Sequence, residues 1–420
     1  MNLFSPFPPD ATQAPRWHCL QRSATVALFL LPALMLSIPS NVLVFGWLLL
    51  LTSLGGIDCL WRARLPAKPA LRLLTGLALA VVALGMVSAW GSDRFMREAD
   101  SLSRFLALPW ALLWVCALRP SRQALWWGAL AGLFAALAIA VVQVAGGQER
   151  AEAWTNAIVL ADVALVLMIL LVFCRPPQRW GWIVVGMAAG GLVILLSGSR
   201  GVWPALLALL VAMFLSVQRG SHHLRLATLV GLVLLGITLV LAVPELRERT
   251  RLDELHNDVQ RIEQGDVNSS AGARLERLQV AWDTFRDYPW VGVGIGHFDD
   301  AMRRVPECRQ PQAPAARCQL GHAHNDLAEW GATLGVPGVL LLLGIYGLPL
   351  WLFVRLHRRS GELGFRGPAA AGVMLVVAYV LCGMTQSMFA HQITVSTYAA
   401  LVGVLCGLSL NGAVERRRQG

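Results

Sequence analysis

Apolar runs separated by short polar breaks recur along almost the whole chain, over residues 23–38, 41–60, 71–90, 102–118, 123–145, 154–174, 180–198, 201–217, 224–243, 326–354, 367–386 and 393–412. Most reach or approach the roughly 17–25 residues that a helix needs to cross a bilayer. The pattern therefore predicts an all-α integral membrane protein with about 12 transmembrane helices. One polar interval is long, and it divides the chain into residues 1–243 with spans 1–9, a helical loop domain over 244–325, and residues 326–420 with spans 10–12 and a basic tail.

Inside the long interval the period changes. Leu252, Leu255, Val259 and Ile262 share one helical face, and Leu275, Leu278, Trp282 and Phe285 share another. Two amphipathic helices are expected, lying across the mouth of the bundle with their apolar sides down. Asn268, Ser269 and Ser270 are candidate caps for the second helix, placing Arg274 in its first turn, and Asp287-Tyr288-Pro289 ends it.

Every second break is basic: Arg62, Arg64 and Lys68; Arg119 and Arg122; Arg175 and Arg179; Arg219 and Arg225; Arg355, Arg358, Arg359 and Arg366; and the tail Arg416-Arg417-Arg418. Basic residues in short loops are retained in the cytoplasm, so both termini are expected there and the 244–325 loop on the opposite, periplasmic side. Arg16 and Arg22 precede an apolar run beginning near Ala24 in the manner of a signal peptide, but no small-residue cleavage site follows. That run is read as a retained first span.

Composition sharpens this picture. Of 420 residues 56% are hydrophobic and only 14% charged, which excludes an ordinary soluble domain. The net charge of +10 comes from arginines scattered among inter-helix loops, with Lys68 the sole lysine, so nucleic-acid binding is not expected. Most of the eight cysteines stand alone in apolar runs and read as small core residues. Cys308 and Cys318 share a polar loop and form a candidate disulfide if that loop meets an oxidising compartment.

Proton-transfer side chains concentrate in Gly321-His322-Ala323-His324-Asn325-Asp326-Leu327-Ala328-Glu329-Trp330. A neutral imidazole accepts a proton near pH 7, and an adjacent amide or carboxylate such as Asn325 or Asp326 can fix its tautomer. The segment is thus either a general base or a histidine-bearing helix cap. A metal site on His322, His324 and Asp326 is disfavoured because no second ligand cluster completes a shell.

Arg200, in Ser197-Gly198-Ser199-Arg200-Gly201, lies where two spans meet. It is either a snorkelling anchor or, with hydroxyls and backbone N–H groups beside it, an anion ligand. Span parity puts Arg200, Arg274 and His324 on one membrane face. Two guanidiniums and a base at headgroup depth suit a lipid-linked diphosphate. Gly292, Gly294 and Gly296 lack the βαβ setting of a nucleotide loop and are read as a flexible connection, and Asp299-Asp300 as a solvated pair.

Taken together, Ser197-Gly198-Ser199-Arg200-Gly201, Arg274 with Trp282, Tyr288-Pro289-Trp290-Val291-Gly292-Val293-Gly294, His322-Ala323-His324-Asn325, Trp330-Gly331 and Leu334-Gly335 resemble the bacterial O-antigen ligase family. That family shares its domain with O-antigen polymerases and protein O-oligosaccharyltransferases. The resemblance implies a metal-, cofactor- and ATP-independent inner-membrane glycosyltransferase that moves O-antigen glycan from undecaprenyl diphosphate to the lipid A core. Arg200 and Arg274 would hold the diphosphate and His324 would act at the acceptor hydroxyl, with His322, Asn325 and Asp326 in secondary roles. The expected partners are that donor, that acceptor and membrane lipids, the working unit a monomer. A transporter is the alternative of a different class, but no internal repeat is visible and Asp162 is the main mid-span charge.

Overall fold

A computed structural model describes residues 15–39, 42–90, 92–93, 95–176, 179–216, 270–310, 318–319, 321–359 and 363–419. The predicted span 224–243, the amphipathic helix from Leu252 to Ile262 and the cap residues Asn268 and Ser269 lie outside them. Every regular element among the described residues is helical. In order they are α1 (Pro15–Leu34), α2 (Leu43–Gly55), α3 (Ile57–Ala89), α4 (Phe95–Ser103), α5 (Ala107–Leu118), α6 (Arg122–Ala145), α7 (Ala157–Phe173), α8 (Trp180–Ser197), α9 (Trp203–Ser216), α10 (Ser270–Asp287), α11 (Phe298–Met302), α12 (Asp326–Arg359), α13 (Leu363–Gly383) and α14 (Gln392–Gln419).

Six stretches are long and apolar enough to cross a membrane: Ala67–Ala89, Phe95–Leu118, Arg122–Ala145, Asp326–Arg358, Arg366–Gly383 and Gln392–Gly412. A seventh arises if α2 and the start of α3 count as one span bent by 86°, and α7, α8 and α9 are apolar but shorter. Among the described residues six or seven stretches thus have the length and composition of a full span.

The region expected to hold span 41–60 and a basic loop at 62–68 is built differently. Gly55-Gly56 breaks the apolar run, and α3 then continues unbroken through Arg62, Arg64 and Lys68. Ala63, Ala67 and Ala70 give that stretch a buried face while Arg62 and Lys68 point outward, so an amphipathic turn replaces a loop.

Close backbone approach holds the bundle together. The Cβ that Gly403 and Gly407 of α14 lack would collide with α5 at Leu108, Ala111 and Val115, and that missing from Gly128 and Gly132 of α6 would strike the Phe29 and Pro32 carbonyls of α1. Small residues at such crossings let helices gain packing contacts that lipid cannot match. At the centre lies α7, apolar except for Asp162 and buried at nearly every position, capped by Asn156, whose side chain accepts from the Ile158 and Val159 amides at 3.0 and 2.9 Å. The span of α14 is likewise buried from Ile393 to Gly412.

Outside the bundle, α10 packs on the first turns of α12 with the face opposite to that expected. Arg277, Val280, Ala281 and Thr284 are buried, whereas Leu275, Leu278 and Trp282 are 53%, 38% and 59% exposed. Both stripes are continuous at helical spacing. The one with small residues seats closely against α12, and the bulkier one is left outward. As expected from its sequence, the helix ends at Asp287.

The glycine-rich segment after α10 is fixed rather than flexible. The Val293 and Gly294 amides donate to the Ala332 and Thr333 carbonyls at 2.9 and 3.0 Å, and Val336 donates to Pro289 at 2.7 Å. Gly292 (φ 64) lies against the Thr333 carbonyl, and Gly335 (φ 65), where α12 is kinked, lies against the Pro289 carbonyl. A side chain at either position would meet backbone, in a conformation that favours glycine.

Candidate functional site

The decapeptide that begins α12 proves to be both a cap and an imidazole cluster. The Asn325 carboxamide oxygen accepts from the Ala328 amide at 3.0 Å, closing the N-terminus of α12, and the Glu329 carboxylate reaches back to the Ala323 amide at 2.5 Å. The buried Asp326 carboxylate accepts from the Tyr346 hydroxyl at 2.5 Å and from the Phe389 amide at 3.3 Å. Asn325 and Asp326 thus anchor the loop rather than orient an imidazole. His324, at φ 56, occupies the left-handed region that few residues other than glycine adopt.

The orienting group is Gln386, in the break between α13 and α14. Its carbonyl oxygen lies 2.6 Å from His324 Nδ1, and its amide nitrogen lies 2.6 Å from His391 Nε2. Because an amide oxygen only accepts and an amide nitrogen only donates, His324 carries its proton on Nδ1 and presents Nε2 as a base. The His322 ring lies between, 4.5 Å from that of His324 and 5.2 Å from that of His391. The break itself is pinned by Phe389, whose ring is 5.4–6.1 Å from those of Phe105, Trp330, Tyr346, Tyr379 and Tyr398. The Ser387 hydroxyl accepts from the Asn325 amide at 3.2 Å, and the Asn325 side chain donates to Met384 at 3.1 Å.

Burial pulls the imidazoles well below their ordinary pKa. His324 falls to about 4: burial is the main cause, the Gln386 bond opposes it, and Arg277, Arg274 and His391 add to it. His322 falls to about 3 through burial, then through His324, His391 and Arg277, and burial lowers His391. All three are neutral at pH 7.

The structure therefore brings Arg274 of α10 into the electrostatic surroundings of His324, together with the buried Arg277, which the sequence reading did not single out. Arg277 follows Arg274 by three residues, so both project from one side of α10. Arg200 occupies the turn between α8 and α9. That turn touches the same break, since Gly201 abuts Thr385 and the Thr385 hydroxyl lies 3.5 Å from the Gly201 carbonyl.

The serines beside Arg200 are not free to hold a ligand. Ser197 and Ser199 are buried, and their hydroxyls donate to the Ile194 and Ala157 carbonyls at 2.7 and 2.9 Å. Arg150, also unanticipated, braces the turn through the Ser197 carbonyl at 2.7 Å and the Ser199 hydroxyl at 3.1 Å.

Nearby, Cys308 and Cys318 are joined by a disulfide, with their Cα atoms 5.3 Å apart. Asp300 is not a merely solvated acid, because it pairs with His297 Nδ1 at 3.0 Å and with Arg303 at 3.2 Å. His297 Nε2 lies 2.7 Å from the Ser92 hydroxyl, tying α11 to the chain just beyond α3. A cavity of about 720 Å³ opens beside His322 and His391, with Asp299 and Glu329 in its wall. Among the described residues no group of three or more His, Cys, Asp or Glu is placed to hold a metal ion.

The family model described as O-antigen ligase matches residues 185–343. That stretch runs from α8 through the Arg200 turn, α10 and the glycine-rich segment into α12. The match falls on the stretch whose motifs carry the resemblance. Comparison with curated proteins gives no match.

Proposed function

We propose that this chain, whose residues 185–343 carry the O-antigen ligase domain, transfers O-antigen glycan from undecaprenyl diphosphate to a sugar of the lipid A core at the periplasmic face of the inner membrane. The observation that carries the reading is a base fixed in one tautomer, His324 on Gln386, on which the positive charges of Arg277 and Arg274 act. The outward stripe of α10, with Tyr288 and Trp290 exposed after it, supports a site at the bilayer interface, where amphipathic aromatic rings gather.

In this mechanism His324 Nε2 takes the proton of the acceptor hydroxyl as its oxygen attacks the anomeric carbon. The bond from that carbon to the diphosphate breaks, and the departing electron pair becomes charge that Arg200 and Arg274 neutralise. The displacement is single, with inversion, and needs neither nucleotide nor metal, because the diphosphate is already a good leaving group. His322 contacts the acceptor in this reading.

The test is a minimal reconstitution of purified protein, lipid-linked glycan and lipid A core, with chelator and without nucleotide. Product is expected, and His324→Ala is expected to abolish it while the protein remains folded. A strict metal or ATP requirement, or an active His324→Ala variant, would refute the mechanism. Deletion in the source bacterium separates this reading from its polymerase sibling. Long surface chains should vanish while the complete core remains and lipid-linked glycan accumulates.

A further inference from the structure

Whether His324 can act as a base hangs on which end of a carboxamide faces it. A half-turn about the last side-chain bond of Gln386 exchanges its oxygen and nitrogen, two atoms of nearly the same size, so shape alone does not choose between them. In the turned state an N–H group would face His324 Nδ1. That nitrogen would have to accept, the ring proton would move to Nε2, and the lone pair meant for the acceptor hydroxyl would be gone. Whatever holds the carboxamide therefore holds the base.

Backbone bonds and ring packing leave the carboxamide as the group able to turn. Gln386 is only 2% exposed, and its backbone amide donates to the Cys382 carbonyl at 2.9 Å at the end of α13. The His391 carbonyl accepts from the Val395 amide at 3.1 Å and from the Thr394 hydroxyl at 2.9 Å, which fixes it on the first turn of α14. The His322 ring stands edge-on to those of His324 and His391, at 4.5 and 5.2 Å, and wedges both. At the far end of the carboxamide stands His391, its Nε2 2.6 Å from the amide nitrogen. Burial lowers the pKa of His391, so its ring is neutral at pH 7 and can offer Nε2 as an acceptor.

We propose, on the transferase reading above, that His391 is a positioning residue for the transfer: by accepting from the Gln386 amide at Nε2 it fixes the carboxamide and, through it, the tautomer of His324. The three groups form a relay in which one choice settles the other two. With Nε2 of His391 open, the amide nitrogen faces it, the amide oxygen faces His324, and His324 is a base. With a donor at position 391 the amide turns, and His324 presents an N–H where it should accept.

The experiment measures kcat and donor KM for the full chain in lipid nanodiscs, and reads the tautomer of His324 by NMR of isotope-labelled histidine, with His324→Ala assigning the signal. At position 391 a carboxylate only accepts, an ammonium only donates and an alkyl group does neither. His391→Glu keeps the Nδ1–H tautomer and stays within about twofold of wild-type kcat, His391→Leu populates both orientations and loses about two- to fivefold, and His391→Lys shows the Nε2–H tautomer and loses about 100-fold. Donor KM moves by less than about twofold throughout, because the arginines are untouched. A residue that only packs would make no distinction between acceptor and donor. Equal kcat in the Glu and Lys variants, or the Nδ1–H tautomer retained in His391→Lys, overturns the proposal. Should the Lys variant not fold, a His391→Leu variant with wild-type kcat and a single His324 tautomer overturns it. The transferase reading survives these results, and falls only if folded wild-type protein gives no transfer or His324→Ala is active.

Discussion

The imidazole half of the proposed site and its guanidinium half are built on opposite plans. His324, His322 and His391 are half-buried and neutral, and a single carboxamide bonds two of them while the break that carries it is anchored by Phe389. The arginines come from two separate elements, Arg200 from a turn in the bundle and Arg274 and Arg277 from a helix outside it. A base is useful only if one nitrogen points at one proton, which demands fixed partners on every side. Neutralising a diphosphate demands positive potential over a volume, which long side chains from independent elements can supply.

If that contrast holds, the halves should fail differently. The largest effect is expected from the arginines: Arg200→Ala or Arg274→Ala should lower kcat by about 10²–10³, the usual cost of removing one donor to a developing anion. Arg200→Lys should also be severely impaired, since an ammonium lacks the two-pronged contact. Turnover at saturating donor and acceptor, with melting temperature as a check on folding, measures this.

Next comes Gln386. Replacement by leucine frees the His324 ring to adopt the wrong tautomer, and a loss of about 10- to 100-fold in kcat is expected with little change in donor KM. Gln386→Glu should recover much of it and move the pH profile. In the free wild-type enzyme the base form of His324 persists down to its depressed pKa of about 4. Therefore kcat/KM should stay level from neutral pH to about pH 5, rather than bend near the ordinary histidine value of about 6.5. A carboxylate beside Nδ1 favours the imidazolium, so in the Gln386→Glu variant the acid limb should move upward.

The same depressed pKa links pH to stability. Between about 6.5 and about 4 an unfolded His324 binds a proton that the folded one refuses, so the stability present above 6.5 is lost as pH falls through that window. Melting curves at pH 7 and pH 5 on wild type and His324→Ala check the sign, because the variant should lose less.

The smallest chemical effect is expected from Gly292→Ala, which touches neither half directly. It forces a side chain into left-handed backbone against the Thr333 carbonyl, at about 1–2 kcal/mol or more in stability. A lowered melting temperature with kcat changed far less than in the arginine variants is the expected result.

The sequence announces Arg200, Arg274 and His324 because each stands in a dense, unusual neighbourhood, with polar residues at a span junction, at a helix start or around a doubled histidine. Gln386 and His391 sit in a short break, 62 and 67 positions from His324. Their part depends on α13 and α14 folding that break onto the start of α12, a long-range contact that periodicity does not encode. One clue was legible, namely that the Gln386 to Gln392 break holds two groups able to share a proton and no cation. Arg277 was hidden differently. It falls on the polar stripe of an amphipathic helix, and only tertiary packing reveals that this stripe turns inward. The bend at Gly55-Gly56 was hidden for a related reason, since apolar runs mark where helices exist but not where they bend or continue through basic residues.

The kink at Gly335 has an architectural consequence. By interrupting the ladder of a membrane-length helix it leaves the Ala332 and Thr333 carbonyls available to Val293 and Gly294, and the Val336 amide to Pro289. The defect acts as a socket, and the segment 289–294 is its plug. Chimeras that exchange the outer segment between homologous proteins should therefore carry residues 332–336 along with it, or the two pieces will meet with mismatched backbones.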